Sequence, residues 1–219
     1  MRNTIILLLI LSALLAFVYF MMPNLSTKKS SLPYFGVDSV TANGDTVWHK
    51  VGDFKLINQL GDTISQKNLE GKIYVADFFF VNCPGICVKM AKQMQRVYKA
   101  YENTAGVNIV SHTVNPEADS VAVLLDYAQK LGVKNHALWS FLTGDKAAIY
   151  KLAREQYYAT ATQGDGGPDD FVHTERFILV DKNKHIRGLY DGTNENEVNQ
   201  LMFDIDKLLQ ESKEVNKPL

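Results

Sequence analysis

The sequence predicts an α/β sandwich with a central mixed sheet flanked by helices. Three observations predict it. Strand-like apolar runs alternate with helical patterns from Phe54 to Glu155. One of them, Ile73 to Phe80, is apolar almost without interruption, as in a strand covered on both faces. The alternation closes on a hairpin, with strands at Phe177 to Val180 and His185 to Tyr190 around Lys182-Asn183-Lys184, and a last helix follows.

Residues 1–4 read as a short tail. Ile5 to Met22 is apolar apart from Ser12. Eighteen helical residues would span about 27 Å, close to a bilayer core of roughly 30 Å. Ala13 and Ala16 lie inside the run and Met21-Met22-Pro23 offers no small-x-small cleavage site, so the reading is a single N-terminal transmembrane helix, with a cleaved signal as the alternative. Arg2 and the α-amino group on one side nearly balance Lys28 and Lys29 on the other, which leaves orientation open. Residues 23–33, rich in Ser, Thr, Asn and Lys, read as a flexible tether.

The rest is one domain, residues 34–212, with a tail at 213–219. Phe54 to Asn58 reads as a strand, with a turn at Gly61-Asp62. After Ile73 to Phe80, Val88 to Tyr101 reads as a helix with Met90, Met94 and Val97 inward and Gln93, Tyr98 and Lys99 outward. Val107 to Val114 is the next strand. Asp119-Ser120 offers N-caps to a helix from Val121 to Leu131 that Gly132 ends. Trp139 to Leu142 is a third strand, Lys146 to Glu155 a helix, and Ala159 to Asp170 a loop with Gly164, Gly166, Gly167 and Pro168. Glu195 to Gln210 is the closing helix. The net charge of -1 removes any strong electrostatic case for nucleic acid.

Both cysteines of the chain stand in Val81-Asn82-Cys83-Pro84-Gly85-Ile86-Cys87, where a strand ends and a helix begins. Pro84 suits the first turn of that helix. Residues at i and i+4 share a helix face, with Cβ atoms roughly 5–6 Å apart. Two thiols so placed can bind one metal ion or close a disulfide, and the helix dipole favours the thiolate. The alternatives are a structural disulfide, which closes too short a loop to stabilise much, and two inert core thiols, which the Pro-Gly turn argues against.

Asp77 lies inside the apolar run and precedes Cys83 by six residues. A charge is costly there. Two readings stand: a carboxylate facing a polar pocket, or a proton acceptor for the thiols with its pKa raised by desolvation. His112 reads as a packed mid-strand histidine; His49, His136 and His185 read as surface positions.

Several stretches in order carry a resemblance: Gly52-Asp53-Phe54 to Asn58-Gln59-Leu60-Gly61, Leu69-Glu70-Gly71-Lys72, Cys83-Pro84-Gly85-Ile86-Cys87, Val114-Asn115-Pro116-Glu117-Ala118-Asp119, Trp139-Ser140-Phe141-Leu142-Thr143-Gly144 and Val172-His173-Thr174. In them the chain resembles the thioredoxin-like superfamily and, within it, the Sco/SenC family of copper-binding assembly proteins, over about Gly52 to Leu209. The departures are Val88 where many members have proline, Asn115 for an aspartate, and Val172 for an aspartate before the histidine; Asp169 and Asp170 are near enough in sequence to orient the imidazole instead.

The resemblance implies a thioredoxin-like sandwich with an N-terminal hairpin. It also implies a copper site of Cys83, Cys87 and His173, with copper as Cu(I) or Cu(II). Two thiolates and an imidazole are one ligand short of structural zinc and fit copper better, with zinc completed by a water as the alternative. The implied function is a copper metallochaperone, not an enzyme, that helps assemble the binuclear copper site of cytochrome c oxidase. Its implied partners are the oxidase copper-binding subunit and other copper carriers. The implied place is the bacterial inner membrane, single-pass, with a monomeric soluble domain in the periplasm. The competing function is a thiol–disulfide oxidoreductase that uses the pair Cys83 and Cys87, with Asp77 as proton acceptor. Its Cys-x-x-x-Cys spacing is one residue longer than the usual redox motif, and no proline occurs from Phe171 to Phe177. A peroxidase of the peroxiredoxin type is discounted, because Val75, Phe79 and Asn82 do not supply its motif.

Overall fold

The computed structural model describes residues 6, 10–14, 16–18, 31–83, 85–160 and 174–215. The chain divides into two units, Met1–Leu32 and Pro33–Leu219. In the first, residues 10–14 and 16–18 are helical. Among the described residues no helix is long and apolar enough to cross a membrane. The predicted span 5–22 lies partly outside the described residues, as do most of the tether and the end of the C-terminal tail.

The second unit opens with a two-stranded antiparallel sheet, β1 (Val37–Val40) and β2 (Thr46–Trp48), which the sequence reading left unassigned. A seven-stranded sheet follows, built from β3 (Lys55–Asn58), β4 (Thr63–Ser65), β5 (Ile73–Phe79), β6 (Val107–Thr113), β7 (Trp139–Thr143), β8 (Arg176–Val180) and β9 (Ile186–Asp191). Its order is β4-β3-β7-β6-β5-β8-β9. β5, β6 and β7 are parallel; β3, β4, β8 and β9 pair antiparallel with their neighbours. This is the expected thioredoxin-like arrangement. Its parallel strands point their C-terminal ends the same way, where open α/β sheets place their ligands.

Helices cover both faces: α1 (Ile86–Tyr101), α2 (Val121–Lys130), α3 (Lys146–Lys151) and α4 (Glu195–Val215). Pleating decides which side each β5 residue serves. Tyr74, Ala76 and Phe78 join Ile149, Tyr150 and Tyr157 in the core under α3. Asp77 and Phe79 face the other way, beside Met90 of α1 and Tyr127 of α2. In the Trp-x-x-Leu-Thr-Gly stretch, the last position is tight. A Cβ on Gly144 would stand 2.8 Å from Leu56 Cδ2.

Several expectations are corrected. α1 begins at Ile86, not Val88, because Gly85 already accepts a backbone bond from Val88. Tyr98 is buried, not on a wet face, and its hydroxyl accepts the N–H groups of Lys134 and Asn135. The helix after β7 is α-helical only to Lys151 and continues as a π turn, Leu152–Gln156. His49 is buried, not at the surface, between the Asp38 carboxylate at 2.8 Å and the Gln156 carbonyl at 3.0 Å. Ser120 alone caps α2, because Asp119 points elsewhere.

Candidate metal and redox site

β5 hands the chain to a tight turn at the C-terminal end of the sheet. The Cys83 N–H donates to the Phe80 carbonyl at 3.4 Å. Cys83 therefore precedes the helix, and only Cys87 lies in its first turn. The shared helix face expected for the pair is replaced by a cap-like geometry in which the Cys87 N–H donates to Cys83 Sγ at 3.4 Å. Pro84 lies outside the described residues. Both cysteines are free thiols and buried, Cys83 at 9% and Cys87 at 6% exposure.

The two thiols are electrostatically unequal. Burial pushes Cys83 up, but the neighbouring Cys87 thiol and the N–H groups of Gly85, Cys87 and Ile86 outweigh it and hold Cys83 below the usual thiol value. Burial raises Cys87 well above that value, and the Cys83 sulfur adds to the rise. The helix start thus makes Cys83 the ready nucleophile and leaves Cys87 holding its proton.

Asp77 sits behind Cys87. The two line one small cavity with Ser111, Tyr127 and Trp139. Its free volume for a water's centre is about 10 Å³. The Ser111 hydroxyl donates to Asp77 Oδ1 at 2.5 Å, and the Trp139 indole N–H donates to Ser111 Oγ at 2.9 Å. Burial raises the Asp77 carboxyl to about 7, against the opposing Ser111 hydrogen bond. The polar-pocket reading of Asp77 therefore describes its surroundings, and the raised pKa matches the expected effect of desolvation.

That shift has a stability consequence. Below the unfolded carboxylate value Asp77 is protonated in both states; between there and about 7 the folded form binds the extra proton. Its favourable contribution is complete at low pH and is lost as pH rises through about 7. Asp77→Asn keeps an acceptor for Ser111 and has no charge to bury. Denaturant midpoints of the reduced protein at pH 5 and pH 8 are expected to show the variant gaining, relative to wild type, on the order of 3 kcal/mol at the higher pH. Equal pH slopes in the two proteins would remove the buried-charge account.

Asp119 is a site residue that the sequence reading took for a cap. It is 1% exposed, accepts the Val81 N–H at 3.1 Å and also accepts the Thr113 hydroxyl. Ser111 and Tyr127 were missed altogether. The available signal was the polar run Ser111-His112-Thr113 in a strand buried throughout. His112 packs as expected: its ring stacks on Phe78, Nδ1 lies 3.2 Å from the Asp77 carbonyl, and burial lowers its pKa to about 4. His136 and His185 are half-buried and engage Gln59 and Tyr34, respectively.

Among the described residues, no three His, Cys, Asp or Glu side chains come together as a metal site. His173 lies outside the described residues, with Asp169, Asp170 and Val172. Thr174, the next residue in the chain, lines a groove with Phe80, Ile86, Cys87 and Val114.

The comparisons agree with this arrangement. A SCO1 protein homolog of Bacillus subtilis is 29% identical over 165 residues, 74% of this chain and 83% of the relative. The structure of BsSco, described as a member of the Sco family of cytochrome c oxidase assembly proteins with a disulfide switch, superposes with TM-score 0.62 at 25% identity, covering 80% of this chain and 98% of that one. Arabidopsis thaliana ScoI, solved with copper bound, superposes with TM-score 0.57 at 26% identity, covering 73% and 98%. The SCO1/SenC family profile matches residues 44–210, a span that holds the cysteine turn, the Asp77 cavity and the terminal hairpin, and the chain accordingly belongs to the SCO1/SenC family.

Proposed function

We propose that the protein is a membrane-tethered copper metallochaperone that helps assemble the binuclear copper site of cytochrome c oxidase. Cys83, Cys87 and His173 would hold the copper. Residues 5–22 would anchor the chain in the bacterial inner membrane, with the soluble domain monomeric in the periplasm. Its partners would be the oxidase copper-binding subunit and other copper carriers.

The observation that carries the reading is the free dithiol at a helix start, with the residue after His173 lining the same groove as Cys87. The donor chemistry fits: thiolates select Cu(I), and imidazole also suits Cu(II). The copper-bound relative supports the metal, and the description of BsSco supports the oxidase as destination. In this reading the chain positions two sulfurs, keeps one a thiolate and shields both. Copper would pass to a partner by exchange of ligands, without turnover of a substrate.

The asymmetric thiols and Asp77 favour a second reading, a dedicated thiol–disulfide reductase of the same partner. Cys83 thiolate would attack a partner disulfide, forming a mixed disulfide and expelling one partner thiolate. Cys87 would lose its proton to the Asp77 carboxylate and attack Cys83 Sγ, expelling the second. Two electrons pass to the partner, and Cys83 and Cys87 end as a disulfide that an external dithiol must reduce.

The test is metal analysis of a fragment starting near Ser31. It is expected to be soluble and folded, because the packed unit begins at Pro33. After exposure of its reduced form to Cu(I), Cu(II) and Zn(II), one equivalent of copper is expected, retained in preference to zinc. No copper uptake by a folded, reduced fragment would leave the reductase reading.

A further inference from the structure

We propose that Asp119 is a positioning residue of the cysteine turn: its buried carboxylate sets the geometry of Cys83 from a different segment of the fold. Asp119 lies in the loop between β6 and α2, yet it accepts the N–H of Val81, two residues before Cys83. It also accepts the Thr113 hydroxyl at the end of β6, and Thr113 Oγ1 in turn accepts the Asn115 N–H at 3.0 Å. A backbone bond from Val114 N–H to the Phe79 carbonyl, 2.8 Å, joins the same two segments one step earlier.

The described residues between Phe79 and Ile86 belong to no strand or helix. Among the described residues there, the Cys83 N–H makes a long bond to the Phe80 carbonyl and Gly85 accepts the Val88 N–H. The Val81 amide is thus fixed by a side chain. A carboxylate–amide bond of this kind is stronger than a neutral one, and burial of the Asp119 side chain limits competition from water. Loss of the acceptor would remove the side-chain tie between this turn and the loop before α2. Cys83 would then lose its fixed approach to the N–H groups of Gly85, Ile86 and Cys87 that face its sulfur.

The inference rests on the proposed use of Cys83, so its test includes readouts that need no copper. Asp119→Ala removes the acceptor. Asp119→Asn keeps an oxygen for both Val81 and Thr113 and removes only the charge. In the reduced protein, the Val81 amide is expected to be protected from hydrogen exchange in wild type and Asp119→Asn and unprotected in Asp119→Ala. The equilibrium of the Cys83–Cys87 pair with glutathione is expected to change about tenfold in Asp119→Ala, about 30 mV, and to stay near wild type in Asp119→Asn. The size of the change carries the claim. Its sign does not, because thiolate stabilisation and closure of the disulfide pull in opposite directions. Copper affinity is expected to fall roughly 10–100-fold in Asp119→Ala only, as for loss of a residue that orients a ligand.

A folded Asp119→Ala with wild-type glutathione equilibrium overturns the proposal, whatever the copper result. A changed equilibrium in a protein that binds no copper upholds the positioning role and sinks only the copper reading. Should Asp119→Ala not fold, Thr113→Val takes its place, since it removes the second donor that holds the same carboxylate oxygen in front of Val81. A shifted equilibrium in Thr113→Val with Asp119→Asn near wild type upholds the proposal, and two wild-type equilibria overturn it.

Discussion

Oxidation of Cys83 and Cys87 to a disulfide is expected to abolish copper binding, and reduction to restore it. The effect is large because the proposed site has only two sulfurs and one imidazole. A disulfide sulfur carries no thiolate charge, so oxidation removes two of three ligands at once. The short backbone path between the cysteines, with the Cys87 N–H already on Cys83 Sγ, holds both sulfurs at one place in the reduced form. Loading also has a proton cost, borne mostly by Cys87, whose thiol burial keeps protonated at neutral pH. Copper affinity of the reduced protein should therefore rise with pH while that of the oxidised protein stays at background. Copper titration of both forms across pH measures this. Equal uptake by the fully oxidised protein would remove the sulfurs from the site.

His173→Ala is expected to separate the two proposed functions. A reductase works through two thiols, and an imidazole outside the exchange path contributes little to it. A copper carrier loses a ligand. Cu(II), which takes nitrogen donors, should be weakened beyond the roughly 10–100-fold typical of losing an outer-shell partner. Cu(I), which two thiolates hold largely alone, should be weakened less. Exchange with a small disulfide should continue near the wild-type rate, because Cys83 owes its lowered pKa to Cys87 and to the N–H groups at the helix start. Copper titration and exchange kinetics on one sample make the comparison. Unchanged Cu(II) affinity would take His173 out of the site and favour the oxidoreductase.

Much of the fold is legible because it is written in local period. Ile73 to Phe79 is buried throughout and reads so from an apolar run that only Asp77 interrupts. The last hairpin is legible in its turn: Lys184 adopts φ +72° within Lys182-Asn183-Lys184. The β1–β2 hairpin was not legible. Its strands are exposed and its pattern carries no burial signal, since it is held by a Gly36–His49 backbone bond and by His49 reaching Gln156 far along the chain. Tyr98 was misassigned for a related reason. A tyrosine counts as polar by its hydroxyl, and its pairing with Lys134, Asn135 and Glu102 lets the ring be buried.

The sequence by itself determined the chemistry: two thiols at a strand-to-helix junction, a carboxylate in a buried strand, and a family pattern that names a histidine. Each is a statement about residue type and near-neighbour spacing. The tertiary structure decided how those groups differ from one another. Cys83 and Cys87 are the same residue type, yet three backbone N–H groups and the neighbouring thiol outweigh burial at one sulfur while burial dominates at the other, and their pKa values move in opposite directions. Asp77 becomes a group that titrates near 7 because α1 and α2 shut water away from it and Ser111 from the adjacent strand gives it one donor. Asp119 leaves its expected capping role because the loop after β6 brings it to within reach of Val81. Spacing along the chain encodes neither the Asp77–Ser111 nor the Asp119–Val81 pairing, since each depends on which group lies nearest across the fold and on how little water is left between them.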